Sequence, residues 1–236
     1  PVGIHHGLLL LIDLVSLLTL IAVSIAALRR FCFPPDYLGT EYASPRSSQA
    51  FFILASIALL MLASLVMNGA VIASGSEGNP AFWQPVAAQL ARLLAGSSHL
   101  AAIHGVAWWV HALVLLAFLC FLPQSKHMHI LTAIPNCYYS SLATPNTQPR
   151  EIFRATSPCG AGRVARLSWK DLFDSFTCTE CGRCQSVCPA QLTGKPLNRR
   201  GVVHDIKENL LANGPALLRG ETPLRPLIGR DGEGSV

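Results

Sequence analysis

Three long apolar runs constrain this chain more than any other feature of its sequence. Residues 8–28 are interrupted by one charge, Asp13; residues 50–73 carry none; residues 100–122 are broken only by His104 and His111. A helix of about 20 apolar residues crosses a hydrocarbon layer ~30 Å thick, and lipid obliges the backbone to satisfy its hydrogen bonds within the segment. Three such lengths in succession predict a mainly α protein built on a transmembrane helical bundle. No small-residue cleavage site follows the first run, so it does not read as a signal peptide.

Charge divides the chain in two. Of 18 basic and 13 acidic residues, four of each lie in residues 1–122, and the remaining 14 and 9 put the whole +5 into residues 123–236. A chain only 13% charged and 51% hydrophobic is neither a disordered segment nor a simple soluble enzyme. Arg29, Arg30 and Arg46 lie between the first two runs, and Lys126, Arg150, Arg154, Arg163 and Arg166 follow the third, whereas the second connection carries only Arg92. The positive-inside rule makes both basic segments cytoplasmic. The expectation is a multi-pass protein of the inner (cytoplasmic) membrane. Residues 81–95 have helical spacing but are too short to span, and read as a helix lying at the interface. Asp13 reads as a residue snorkelling toward the outer end of its span, with quinone protonation as the alternative.

Residues 178–188 read CTECGRCQSVC, followed by Pro189, a C-x2-C-x2-C-x3-C-P run. Four of the eight cysteines are thus crowded together, unlike the dispersed cysteines of a secreted disulfide framework. Zinc sites pair two separated Cys-x2-Cys knuckles, whereas a single run suits one cubic [4Fe–4S] cluster held by Cys178, Cys181, Cys184 and Cys188. Gly182 permits close backbone approach, and Pro189 directs the fourth cysteine away from the first three. In two-cluster ferredoxins that fourth cysteine ligates the other cluster. Either Cys188 closes a single cluster or a second run lies beyond Val236, and the second is our expectation. Cys159 reads as an unliganded loop thiol, and Cys32, Cys120 and Cys137 as ordinary thiols. Residues 168–176 have helix character. Lys195, Arg199 and Arg200 read as a solvated face, with docking of an acidic redox partner as the alternative. No motif supports nucleic-acid binding.

Histidines gather around the third run. On one continuous helix, His111 and His129 would be about five turns apart on a common face, separated by ~27 Å, with His104 roughly 20° off that face and His127 on the far side. Such a helix would offer an axial ligand to a haem near each leaflet, although Pro123 lies between the two. An imidazole at membrane depth is a functional-site hypothesis by default; the plainer reading is hydrogen bonding to a neighbouring helix. Partner ligands would come from His104, from His5 or His6, or from a helix upstream of Pro1. His5 and His6 themselves read as interfacial residues. With Pro1 at the start and GRDGEGSV at the end, we expect a piece of a longer chain.

The segments HGVAWWVHALVLLAFLCFLPQSKHMHILTAIPN (104–136) and LSWKDLFDSFTCTECGRCQSVCPAQLTGKPLNRR (167–200) resemble the heterodisulfide-reductase-related iron–sulfur oxidoreductases, of the electron-transfer-flavoprotein:menaquinone oxidoreductase type. The resemblance covers about residues 10–210. These proteins fuse a membrane cytochrome b domain, similar to the gamma subunit of nitrate reductase, to a two-cluster ferredoxin module. The resemblance implies that His111 and His129 each serve one of two haems b, and that the cysteine run is the first cluster motif. It also implies a quinone substrate, a flavoprotein donor, and missing segments or further redox subunits that carry a second cluster and a haem-ligand helix. A helix bearing partner histidines, a second cysteine run and the CCG repeats common in that family are absent from this sequence. The expected organisation is a cytochrome b-like membrane domain (1–130), a basic linker (131–165) and an iron–sulfur module (166–236). The expected function is quinone-linked electron transfer; the alternative is a non-catalytic anchor subunit that tethers a soluble reductase.

Overall fold

The computed structural model describes residues 2–33, 47–75, 80–142, 164–195 and 197–221, and every regular element among them is helical. Contacts sort these elements into two compact units. The first contains α1 (Val2–Cys32), α2 (Ser48–Ser74), α3 (Pro85–Leu94) and α4 (Leu100–Phe121). The second contains α5 (His129–Tyr138), α6 (Trp169–Thr177), α7 (Arg183–Ser186), α8 (Pro189–Leu192) and α9 (Arg199–Leu218). Most of the basic linker, with Cys159, lies outside the described residues.

The three apolar runs form three helices long and apolar enough to cross a membrane, Ile4–Cys32, Ser48–Ser74 and Leu100–Gln124. Their exposure pattern is that of a lipid-solvated bundle. In α1 the deeply buried residues are Asp13 and Ser16, while Leu11, Leu18 and Ile25 face outward. A water-soluble helix does the reverse, because only hydrocarbon makes an outward leucine favourable and an outward carboxylate costly.

Asp13 therefore does not snorkel. At 1% exposure it accepts the backbone N–H of Val86 on Oδ2 at 2.7 Å and that of Ala87 on Oδ1 at 3.0 Å. These amides open α3, whose first turn has no acceptors of its own, and a carboxylate there also meets the positive end of the helix dipole. Pro85 starts α3 without wasting a donor. Of the helix predicted at residues 81–95, Pro85–Leu94 is helical while Pro80–Phe82 forms a separate 3-10 turn, and α1 fixes the start of α3. Its small face, Ala87 and Ala91, packs on α2 at Gly69, where an added Cβ would lie 3.1 Å from Leu90 Cβ and 3.2 Å from the Ala87 carbonyl.

The continuous helix expected from His104 through His129 is interrupted. α4 ends at Phe121, and 3-10 turns occupy Leu122–Gln124 and Lys126–Met128 before α5 begins at His129. Proline removes one ladder hydrogen bond and crowds the preceding turn, and Ser125 completes the break. Its backbone is extended, and its hydroxyl donates to the Leu122 carbonyl and accepts the His127 N–H. Consequently the His127 and His129 rings come within 5.9 Å of each other, not on opposite sides of one helix.

In the second unit, α6 starts from a complete capping box in which Ser168 and Asp171 satisfy each other's backbone amides. Asn136 of α5 donates to Asp174 of α6 at 2.8 Å, and Tyr139 meets Trp169 edge-on at 5.3 Å. α9, N-capped by Asn198 accepting the Gly201 N–H, packs against both α6 and α7.

Candidate metal centre

The four clustered cysteines occupy a succession of helix ends. Cys178 caps the C-terminus of α6, Cys181 precedes Gly182, Cys184 lies within α7, and Cys188 is the N-cap of α8 with Pro189 at N1. Two left-handed residues bend the chain between them: Glu180 at φ 56° and Gly182 at φ 77°. Glycine accepts that conformation freely; for glutamate it is unusual, and Glu180 is alone among the described non-glycine residues in adopting it.

These bends turn amides toward sulfur. The Glu180 N–H donates to Cys178 Sγ at 3.4 Å. The Arg183 N–H holds the Cys181 thiol below its ordinary value, and the Gln191 and Ala190 N–H groups do the same for Cys188. Burial pushes Cys178 up, against the pull of the Glu180 amide. Cys188 is 1% exposed, Cys178 half-buried, and Cys181 and Cys184 exposed. Among the described residues no three His, Cys, Asp or Glu side chains are grouped to hold a single metal ion. A cubic cluster gives each cysteine its own iron, so its ligands do not converge on one point. Thiols presented along one run, with amide donors directed at three of them, are a donor set that fits an anionic iron–sulfur cluster.

Beneath the loop lies a group that the sequence reading missed. The Glu180 side chain, 9% exposed, receives His204 Nδ1 at 3.2 Å and Lys207 Nζ at 3.4 Å on the same oxygen, both from α9. Burial opposes its charge, but the His204 hydrogen bond and the Lys207 cation outweigh it and hold the carboxyl below its ordinary value. The Glu180 hydrogen bond in turn raises His204, against the effect of burial. The spacing of His204 and Lys207 puts them on one helix face, yet nothing local identifies the acidic residue they face. The solvated basic face needs a correction as well. Lys195 and Arg199 are exposed, but Arg200 is buried at 1% in the packing of α9.

The histidines are distributed between the units. His111 Nδ1 lies 3.1 Å from the Leu60 carbonyl of α2. A carbonyl only accepts, so this bond selects the Nδ1–H tautomer and leaves the Nε2 lone pair for another partner. His104 lines a cavity of about 320 Å³ with Ala70, Val71 and Ser74. A second groove of about 400 Å³, almost wholly apolar and lined by Leu62, Val66 and Val106 among others, also runs between α2 and α4. His129 opens α5 in the second unit. His6 stacks on Trp83 at 5.2 Å, with His5 6.0 Å away.

Residues 169–190 match the model of the 4Fe-4S binding domain, which takes in all four clustered cysteines. The chain carries an iron–sulfur domain. It is 32% identical over 209 residues to the probable iron-sulfur-binding oxidoreductase FadF of Bacillus subtilis, covering 87% of this chain and 29% of that protein. It is 27% identical over 224 residues to the EtfAB:quinone oxidoreductase of Syntrophomonas wolfei, covering 91% and 31%. A 94-residue stretch is 30% identical to a probable membrane-anchored ferredoxin of Chromohalobacter salexigens, covering 35% and 14%. The chain thus spans less than a third of the length of these curated relatives. No solved structure matches it. What the chain itself combines is a 4Fe-4S domain with three helices long and apolar enough to cross a membrane.

Proposed function

We propose that the chain links a redox donor on the cytoplasmic side of the inner membrane to the quinone pool, through a [4Fe–4S] cluster and haem b. The observation that carries this reading is the presence of a 4Fe-4S domain and three membrane-length helices in one chain. Cluster and haem supply one-electron transfer when bound. Cys178, Cys181 and Cys184 would hold this cluster and Cys188 would serve the second cluster of a two-cluster module, amides of the same loop stabilise the thiolates, and burial keeps water from Cys188. Residues 166–236 form the cluster module and residues 1–130 the haem-bearing domain.

His111 supports the haem assignment. A ligating histidine normally donates its other ring nitrogen to a fixed acceptor, which sets tautomer and ring plane, and the Leu60 carbonyl is such an acceptor. His129 is the candidate ligand of a second haem and His104 a candidate partner ligand. The relative described as an EtfAB:quinone oxidoreductase supports quinone as the substrate and a flavoprotein as the donor. The module would face the cytoplasm. A second cluster and further haem ligands belong to additional segments or subunits.

A second reading, an anchor without haem that tethers a soluble reductase, is favoured by the similarity to a membrane-anchored ferredoxin. A reduced-minus-oxidised spectrum of the protein in membranes decides between the two. A b-type band that diminishes in H111A and H129A is expected. An iron–sulfur signal with no b-type band would overturn the haem assignment and leave the anchor.

A further inference from the structure

We propose that Glu180 is a positioning residue for the iron–sulfur cluster: gripped by His204 and Lys207 of α9, its carboxylate braces the cysteine loop in the left-handed turn that carries the chain from Cys178 to Cys181. The inference rests on reading residues 178–188 as a [4Fe–4S] site.

Three observations meet at this residue. Glu180 is the described non-glycine residue with positive φ, at 56°. Its own amide makes the 3.4 Å bond to Cys178 Sγ, and its φ sets the direction in which the chain leaves that bond toward Cys181. Its side chain does not wander into solvent but ends on two nitrogens one helical turn apart, His204 Nδ1 at 3.2 Å and Lys207 Nζ at 3.4 Å.

α9 is a firm support for that grip. It is capped by Asn198 and packed on α6 and α7, the helices on either side of the Cys178–Cys181 bend. A residue with a Cβ prefers to leave the left-handed region, and if Glu180 left it, the chain that follows, Cys181 included, would swing away from Cys178. The grip from α9 prevents that relaxation. Glycine at this position would need no brace, because it adopts the same φ at little cost. The role of the carboxylate is therefore conformational, and a residue that needs no holding should replace it.

The test uses the full-length protein purified in detergent, with iron and acid-labile sulfide content and the electron paramagnetic resonance spectrum of the reduced cluster as readouts. Circular dichroism monitors the fold separately. In E180A the loop loses its brace while keeping a Cβ, and the equilibrium constant for holding the cluster falls about tenfold, read as lower iron and sulfide content under a competing chelator, which corresponds to the cost of one left-handed residue. E180G recovers occupancy to within about twofold of wild type and restores the wild-type spectrum, since glycine needs no brace. The double substitution H204Q/K207A, which leaves Glu180 in place but ungripped, behaves like E180A. Wild-type occupancy in E180A or in the double variant would overturn the proposal. So would equal depletion of E180A and E180G, because the carboxylate would then act other than through the backbone. A wild-type protein that holds no iron and sulfide would instead overturn the cluster reading itself.

Discussion

His111 Nδ1 and the carbonyl oxygen of Leu60 stand 3.1 Å apart, a bond from α4 to α2 that decides which imidazole nitrogen keeps its proton. If Nε2 is a haem ligand, H111A lowers the b-type absorbance of the reduced protein by about half where two haems are bound, and abolishes it where there is one. H104A tested in parallel separates a partner ligand from a cavity-lining residue. An unchanged band in H111A would remove His111 from the ligand set.

Asp13 should be among the least replaceable residues of the first unit. Replacing it by alanine removes two hydrogen bonds to a charged acceptor and leaves the opening amides of α3 buried, at a cost of roughly 2–4 kcal/mol. D13N keeps one acceptor oxygen and should lose less. Thermal unfolding in detergent, followed by circular dichroism, is expected to rank the proteins wild type, D13N, D13A.

Gly69 lets α2 and α3 approach. A β-branched side chain there meets the Leu90 Cβ and the Ala87 carbonyl, and the carbonyl belongs to the backbone and yields little. G69V should destabilise by about 1–3 kcal/mol, whereas G105V, on α4 where an added Cβ meets nothing within 4 Å, should be close to neutral to packing. Equal unfolding temperatures for the two would contradict this packing.

The Glu180–His204 pair predicts a stability window in pH. His204 is raised above its ordinary 6.5, so its contribution is complete below 6.5 and is lost as pH rises through the raised value. Glu180 is lowered from 4.5, so its contribution is complete above 4.5 and is lost as pH falls through the lowered value. Stability conferred by the pair is therefore greatest between these limits. The stability difference between wild type and H204Q should shrink as pH rises above neutrality, and a difference that grows there would reverse the sign. Partial exposure limits the effect to about 1 kcal/mol or less.

The three membrane-length helices and the cysteine run are legible in the sequence because each is encoded locally, by uninterrupted apolar length and by fixed spacing. What escapes is set by partners far along the chain. Asp13 is locally a lone charge in an apolar run; its acceptor role needs Val86 and Ala87, more than 70 positions away. Pro123 suggests a kink, but the complete break before α5 depends on how Ser125 uses its hydroxyl. α9 has no clear apolar period and no obvious start, so neither the helix nor its grip on Glu180 emerges from residues 199–218 alone. Arg200 looks like a surface cation for the same reason, its burial being a property of the assembled unit.

The separation between Asp13 and its acceptors also has a meaning in time. During synthesis Asp13 leaves the ribosome 73 residues ahead of Val86, an interval of roughly 4–15 seconds at 5–20 residues per second. Throughout it, the first helix carries a carboxylate whose final partners have not been made. The insertion machinery must therefore shelter or tolerate an unsettled first segment, and α1 reaches its final seat only when the ribosome has delivered α3.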